Sequence, residues 1–228
     1  MKDGPDIARI ANLVGDPARA NMLTALMAGG ALTASELALE AGVTVQTASS
    51  HLAKLMEGGL LSLAAQGRHR YYGLASPQIA GMLEAIMGVA ASVGPKRARP
   101  GPREATMREA RICYDHLAGD HAVAMLDGFL ARDILVKSGD SIRIGKAGPR
   151  YFVAVGIDAE GLTTNRRPVC RACLDWSVRR SHLAGTLGAA IYDKILAEKW
   201  ARRDPESRAV IFSPKGKQAF AKTFLQAA

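Results

Sequence analysis

TVQTASSHLAKLMEGG, residues 44–59, divides its side chains between two helical faces. Val45, Ala48, Leu52, Leu55 and Met56 recur at helical spacing, so one face is apolar and belongs against a core. Thr44 stands just ahead of them as an N-cap. The opposite face carries Gln46, Thr47, Ser50, His51 and Lys54, short or bidentate hydrogen-bonding groups with one cation. Such side chains reach base edges and phosphates in a major groove. A solvated amphipathic helix would show the same division, so the flanking residues have to decide.

Upstream, TASELALEAG (residues 33–42) reads as a short helix with Thr33 as cap, Glu36 at the capping-box position and Gly42 as its stop. Only Val43 separates that stop from the next cap, and two helices joined so tightly make a helix-turn-helix. Downstream, Leu60, Leu61 and Leu63 begin an extended run, Gln66-Gly67 turns it, and Arg68-His69-Arg70-Tyr71-Tyr72 returns with alternating character. The result is a hairpin with a basic tip, or wing. Arg68 and Arg70, two apart on a strand, share a face placed to meet phosphate, with His69 between them.

With Asp16-Pro17 opening an earlier helix and Tyr72-Gly73-Leu74 closing the hairpin, residues 7–93 resemble the ArsR family of winged helix-turn-helix regulators. The resemblance implies a homodimer that binds a pseudo-palindromic operator in double-stranded DNA and releases it when a ligand, metal ion or thiol oxidant is sensed. It also implies that the helix after the wing, with its stripe Ile79, Met82, Leu83, Ile86, Met87, Val89 and Ala90, builds the dimer together with the first helix. Metal-sensing members often carry a cysteine pair on the helix occupied here by Ser35 to Ala41; this chain has none there.

At 228 residues, 48% apolar and 22% charged, the chain has the composition of a folded protein with room for two modest domains. Met1 to Gly15 has no signal-peptide pattern and no apolar run reaches membrane-spanning length, so the expected location is cytoplasmic, with no membrane partner. Three cysteines are too few, and odd in number, for a secreted disulfide framework; they read as thiols or ligands. The net charge of +9 favours a polyanion partner, although up to Ala98 eight basic residues face seven acids and the excess lies beyond. No phosphate loop, His-Glu-x-x-His or Gly-x-Ser-x-Gly is present, and nothing in the chain points to an enzyme.

Residues 94–103, GPKRARPGPR, read as a basic Pro/Gly linker between a first domain (1–93) and a second (104–228). The second domain repeats itself: His116-Leu117-Ala118-Gly119 recurs as His182-Leu183-Ala184-Gly185, and eight of sixteen positions are identical along that alignment. Each copy, about 113–156 and 179–226, is expected to run helix, hairpin, helix, a degenerate winged-helix-like pair. Overall the expected class is mainly α with small β-hairpins (α+β).

At this offset Cys113 matches Arg179, and Cys170-Arg171-Ala172-Cys173 falls between the copies. Cys-x-x-Cys grips one soft ion. A thiolate from Cys113 and an imidazole from His116, one helical turn away, would complete a site for zinc or a soft metal or metalloid. Because His116 and His182 occupy equivalent positions, a structural role for both weighs against ligation. Arg166, Arg167, Arg171, Arg179 and Arg180 would lower thiol pKa values, which suits an oxidant sensor equally. The expected function is a dimeric repressor released by a thiol-sensed signal; the alternative is a thiol oxidoreductase, or an interaction protein using its winged helix to bind protein.

Overall fold

The computed structural model describes residues 4–66, 69–93, 102, 104–139, 141–159, 161–164 and 167–225. The chain divides into two compact units, Met1–Glu84 and Ala85–Ala228. Apart from Pro102, the segment 94–103 lies outside the described residues, as do Gly67 and Arg68 at the wing tip, and Arg166.

Unit 1 follows the capping signals closely. α1 (Ile7–Val14) starts from Asp6 and α2 (Pro17–Leu26) from Asp16, each carboxylate accepting the backbone N–H three residues on, with Pro17 in the first turn of α2. β1 (Leu32–Thr33) leads into α3 (Ala34–Ala41), where Thr33 and Glu36 form the reciprocal capping box. Gly42, at φ 66°, ends α3 in the left-handed region, and Thr44 caps α4 (Val45–Glu57) directly after it. Leu23, Leu26, Leu37, Ala48, Leu52 and Leu55 are buried together and set the crossing of α2, α3 and α4. Val45, expected on that apolar face, is 49% exposed because it stands in the first turn of α4, at the rim of this packing.

The wing consists of β2 (Leu61–Gln66) and β3 (His69–Leu74), paired antiparallel with Leu63 opposite Tyr72. β1 joins as a third strand on β3, a pairing not legible in the sequence because two residues carry no period. α5 (Pro77–Val93) follows, and the division between the two units falls inside it.

After the C-terminal part of α5, unit 2 continues with α6 (Ala105–Glu109) and then differs from expectation. Cys113 lies on a strand, not a helix: β4 (Arg111–Cys113) and β5 (His116–Ala118) form a tight hairpin through Tyr114, which takes φ 60°. α7 (Asp120–Ala131), the hairpin of β6 (Leu135–Ser138) and β7 (Ser141–Ile144), and α8 (Gly148–Ala154) complete the first half. After a 3-10 turn at Gly161–Thr164, the same order returns: β8 (Arg171–Asp175), β9 (Arg180–Ala184), α9 (Thr186–Ala197), β10 (Ala201–Arg203), β11 (Val210–Phe212) and α10 (Pro214–Phe220), the last running into a π turn. Each half therefore opens on a β-hairpin, which the winged-helix-like reading lacked. Cys173 belongs to the first strand of the second half rather than to a segment between copies.

The halves share backbone detail. Gly119 (φ 93°) and Gly185 (φ 90°) make the turn from hairpin to helix, and a Cβ on either would fall within 2.6 Å of a backbone oxygen. The core is aromatic: Phe129, Phe152, Phe220 and Phe224 are fully buried, and Phe129 meets Phe152 and Phe224 edge-on at 5.9 and 6.0 Å.

Candidate nucleic-acid interface and a buried cysteine–histidine cluster

Burial of Ala48, Leu52 and Leu55 turns the opposite face of α4 outward, so Gln46, Thr47, Ser50 and Lys54 are exposed, as is the cap Thr44. Thr44 and Thr47 share a hydrogen bond of 2.9 Å between their hydroxyls, and the Ser50 hydroxyl reaches only weakly, at 3.5 Å, to the Gln46 carbonyl. His69 and Arg70 are exposed on β3. His51 is placed differently from the rest. Its side chain is only 16% exposed, with Nδ1 at 3.8 Å from Asp16 Oδ1 and 3.4 Å from an Arg19 nitrogen. Arg19 is itself buried and donates to the Leu13 and Asn12 carbonyls, each at 2.7 Å, so His51 extends a bracket between α1, α2 and α4.

In unit 2 the structure gathers Cys113, His116 and Cys173 with His182, all four buried and with their ligand atoms within 4.8 Å of one another. The reason is strand register. Cys113 lies opposite His116 in the first hairpin, and Cys173 lies opposite His182 in the second. Directly opposed residues of an antiparallel pair project from the same face, so each hairpin offers one thiol and one imidazole. The structural counterpart of Cys113 is therefore Cys173, not Arg179. A rigid offset missed this because the first hairpin turns through Tyr114 and Asp115 while the second runs through residues 176–179. Cys170 precedes β8 and is not in the cluster.

The two imidazoles face each other, Nε2 to Nε2, at 3.1 Å. Behind His116, Nδ1 is 3.1 Å from Asp115 Oδ1, and Arg167 donates to the other Asp115 oxygen at 2.6 Å. Behind His182, Nδ1 lies 3.5 Å from Asp175 Oδ2 and has no hydrogen-bond partner. Asp175 is fully buried. Its Oδ1 accepts from Arg111 at 2.8 Å, from the Ser177 hydroxyl at 2.6 Å and from the N–H groups of Ser177 and Val178, while Oδ2 accepts from the Gly119 N–H at 2.7 Å. Asp175 thus ties the second hairpin to the start of α7 in the first half.

The neighbouring Cys173 thiol is the main influence holding Cys113 well below the ordinary thiol range; His116 and His182 add to it, and burial opposes all three. Burial alone pushes Cys170 up to about 11, which leaves it a protonated thiol at neutral pH. Burial pushes His182 below the usual histidine range, with Cys113 opposing. Burial would raise Asp175, but Arg111, Ser177 and His182 together bring it down to about 2. Two of the arginines expected to activate the cysteines are engaged with carboxylates instead: Arg167 holds Asp115 and Arg180 holds Asp127, each at 2.6 Å. Activation of Cys113 comes from the cluster itself.

Sequence reasoning missed His182, and the signal was the repeat: a residue equivalent to a ligand can be the second ligand as readily as a shared structural element.

A family described as a helix-turn-helix domain matches residues 14–64. The chain is 39% identical over 218 residues to the uncharacterized HTH-type transcriptional regulator YdfF of Bacillus subtilis (strain 168), covering 96% of each chain. Among solved structures, the homodimeric winged helix-turn-helix domain (fragment 1–100) of Mb0332 from Mycobacterium bovis, described as a possible ArsR-family regulator, is 26% identical. It covers 40% of this chain and 90% of its own, with a TM-score of 0.35. The cadmium metal-sensor CMTR of Mycobacterium tuberculosis is 30% identical, covering 43% of this chain and 99% of its own, with a TM-score of 0.33. A relative matched along nearly its whole length and a helix-turn-helix completed by a three-stranded wing lead to one conclusion: the chain belongs to the HTH-type transcriptional regulators, with a winged helix-turn-helix and an extended C-terminal domain.

Proposed function

We propose that the protein is a dimeric cytoplasmic repressor that reads a pseudo-palindromic operator through its N-terminal winged helix and takes its releasing signal through the thiols of its C-terminal unit. The observation that carries the DNA reading is the exposed row Gln46, Thr47, Ser50 and Lys54 on a helix whose N-cap stands two residues after a left-handed glycine turn. Gln46 and Thr47 sit in the first turn, the part of a recognition helix that reaches bases, and Lys54 suits a phosphate. Arg70, with Arg68 outside the described residues, suits the backbone beside it. Exposed Ile7 on α1, and separately exposed Ile86 and Val93 on α5, support a partner for each of those helices, since large apolar side chains left in water favour one.

The signal reading rests on the cluster of Cys113, His116, Cys173 and His182, whose chemistry suits a soft or borderline metal ion, a metalloid or an oxidant. The thiol oxidoreductase alternative finds no support in the Cys-x-x-Cys, because Cys173 is buried on a strand and Cys170 is held protonated. No helix among the described residues is long and apolar enough to cross a membrane.

A gel shift on DNA from the promoter of the gene's own operon, across a salt series, tests the proposal. Preferential, salt-dependent binding as a dimer is expected. Equal affinity for unrelated DNA would overturn the operator reading.

A further inference from the structure

We propose that Cys113, His116, Cys173 and His182 form a closed, four-ligand zinc site that joins the two halves of the C-terminal unit. The inference deepens the sensor reading above and rests on it only for the link to DNA.

Three observations carry it. The first is symmetry of supply. Each hairpin contributes one cysteine and one histidine from directly opposed positions, so the four ligand atoms converge from two elements that no local turn connects. An ion at their centre would link residues 111–118 to residues 171–184. The set is two thiolates and two imidazoles, the composition of a structural zinc centre, whereas a trivalent metalloid would call for a third thiolate. Cys170 is outside the cluster and does not supply one.

The second is the orientation of the imidazoles. Each turns Nδ1 towards a carboxylate, His116 to Asp115 and His182 to Asp175. A bare Nδ1 lone pair facing an anion is unfavourable, so the hydrogen belongs on Nδ1 of His116, which meets Asp115 at 3.1 Å, and the field of the Asp175 carboxylate favours the same placement in His182 although the two form no hydrogen bond. Both Nε2 atoms then present lone pairs, and they do so towards each other at 3.1 Å. Two acceptors at that distance repel unless a cation lies between and beside them. Tetrahedral zinc, with bonds near 2.0–2.1 Å to nitrogen, separates two such atoms by about 3.3 Å. Carboxylates behind the histidines are the usual outer shell of such a centre.

The third is charge. Asp115 is paired with Arg167 and Asp175 with Arg111, so the outer shell is neutral as it stands. All four inner residues are buried, where uncompensated charge is costly. Two thiolates are cancelled by a divalent ion; a monovalent one would leave a buried negative charge.

The test uses the full chain, reduced and stripped of metal with a chelator, titrated with Co²⁺ as a spectroscopic stand-in and then with Zn²⁺ in competition. The expected result is one equivalent per chain, with the ligand-field and thiolate charge-transfer bands of a tetrahedral centre, displaced by one equivalent of zinc. Cys173→Ser and His182→Gln should each weaken binding by more than 100-fold. Asp115→Asn should weaken it about 10-fold, as a lost outer-shell partner does. Cys170→Ser should leave it unchanged. Tryptophan emission identifies variants that fail to fold, and the wild-type titration stands without them. No tetrahedral cobalt spectrum from natively folded wild type, or binding that survives Cys173→Ser but not Cys170→Ser, overturns the site.

A gel shift run in parallel separates this proposal from the regulatory one. One zinc per chain with operator affinity unchanged upholds the site and overturns its sensing role. Operator release by an oxidant, with no zinc uptake, overturns the site and leaves the repressor standing.

Discussion

Replacing Arg111 with methionine should remove the buried ion pair with Asp175 while keeping most of the side-chain volume. Arg111 is 1% exposed, donates to Asp175 Oδ1, the Ser177 hydroxyl and the Met107 carbonyl, and stacks 5.1 Å from the Trp176 ring centroid. Its loss strands a carboxylate that is 0% exposed. Breaking a buried pair from one side costs about 3–5 kcal/mol, a large share of the roughly 5–15 kcal/mol that hold a domain together. Removing both partners, Arg111→Met with Asp175→Leu, should not restore stability. Asp175 also accepts the N–H groups of Gly119, Ser177 and Val178, and an orphaned buried donor costs about 1–3 kcal/mol. The assay is urea denaturation followed by tryptophan emission, since both tryptophans, Trp176 and Trp200, lie in unit 2. With a slope of about 2 kcal/mol per molar urea, the midpoint should fall by about 1.5–2.5 M. The sign of the pH dependence follows from the depressed Asp175 value. A carboxylate held at about 2 stabilises the fold above its unfolded value near 3.9 and loses that contribution as pH falls towards 2. The gap between wild type and Arg111→Met should therefore be full at neutral pH and narrow below pH ~4. A midpoint shift under ~0.5 M at neutral pH would refute the reasoning, because it would mean that the carboxylate finds water or a new partner at little cost.

Gln46→Ala and Thr47→Ala should each cost about 1–3 kcal/mol on the operator and little on random DNA, measured by competition gel shifts; equal losses on both would remove the base-reading role. Arg70→Ala should weaken binding to all sequences and reduce the salt slope by about one, and an unchanged slope would place the wing away from the backbone. Gly119→Ala and Gly185→Ala should each destabilise unit 2 by about 3 kcal/mol or more in thermal unfolding. Each puts an L-residue at φ near 90° and its Cβ within 2.6 Å of a carbonyl oxygen. A cost under ~1 kcal/mol would mean that the hairpin-to-helix turn can relax.

In unit 1, local chemistry specifies local structure. Asp6, Asp16, Thr33 and Thr44 each begin a helix by accepting a backbone N–H, Gly42 ends one, and the stripe through Ala48, Leu52 and Leu55 names the buried face. These signals act within one or two turns, so they are legible one residue at a time, and with them the helix-turn-helix and the exposed polar row proposed to meet DNA. The inward turn of His51 is not legible in this way, because it depends on Arg19 and Asp16 from another helix.

The cluster in unit 2 was half legible. The sequence by itself determined that three thiols and two repeated histidines were the chemically unusual residues of the C-terminal part. It could not determine which of them meet. Spacing suggested Cys170 with Cys173, but proximity along the chain is no guide on a strand, where the facing residue comes from the opposite arm of the hairpin. Register set Cys113 against His116 and Cys173 against His182, and the packing of one hairpin on the other joined the two pairs. Those contacts span up to 69 residues of sequence, from Cys113 to His182, and only the tertiary structure decides them, because they follow from burying two short sheets in one core rather than from any local preference.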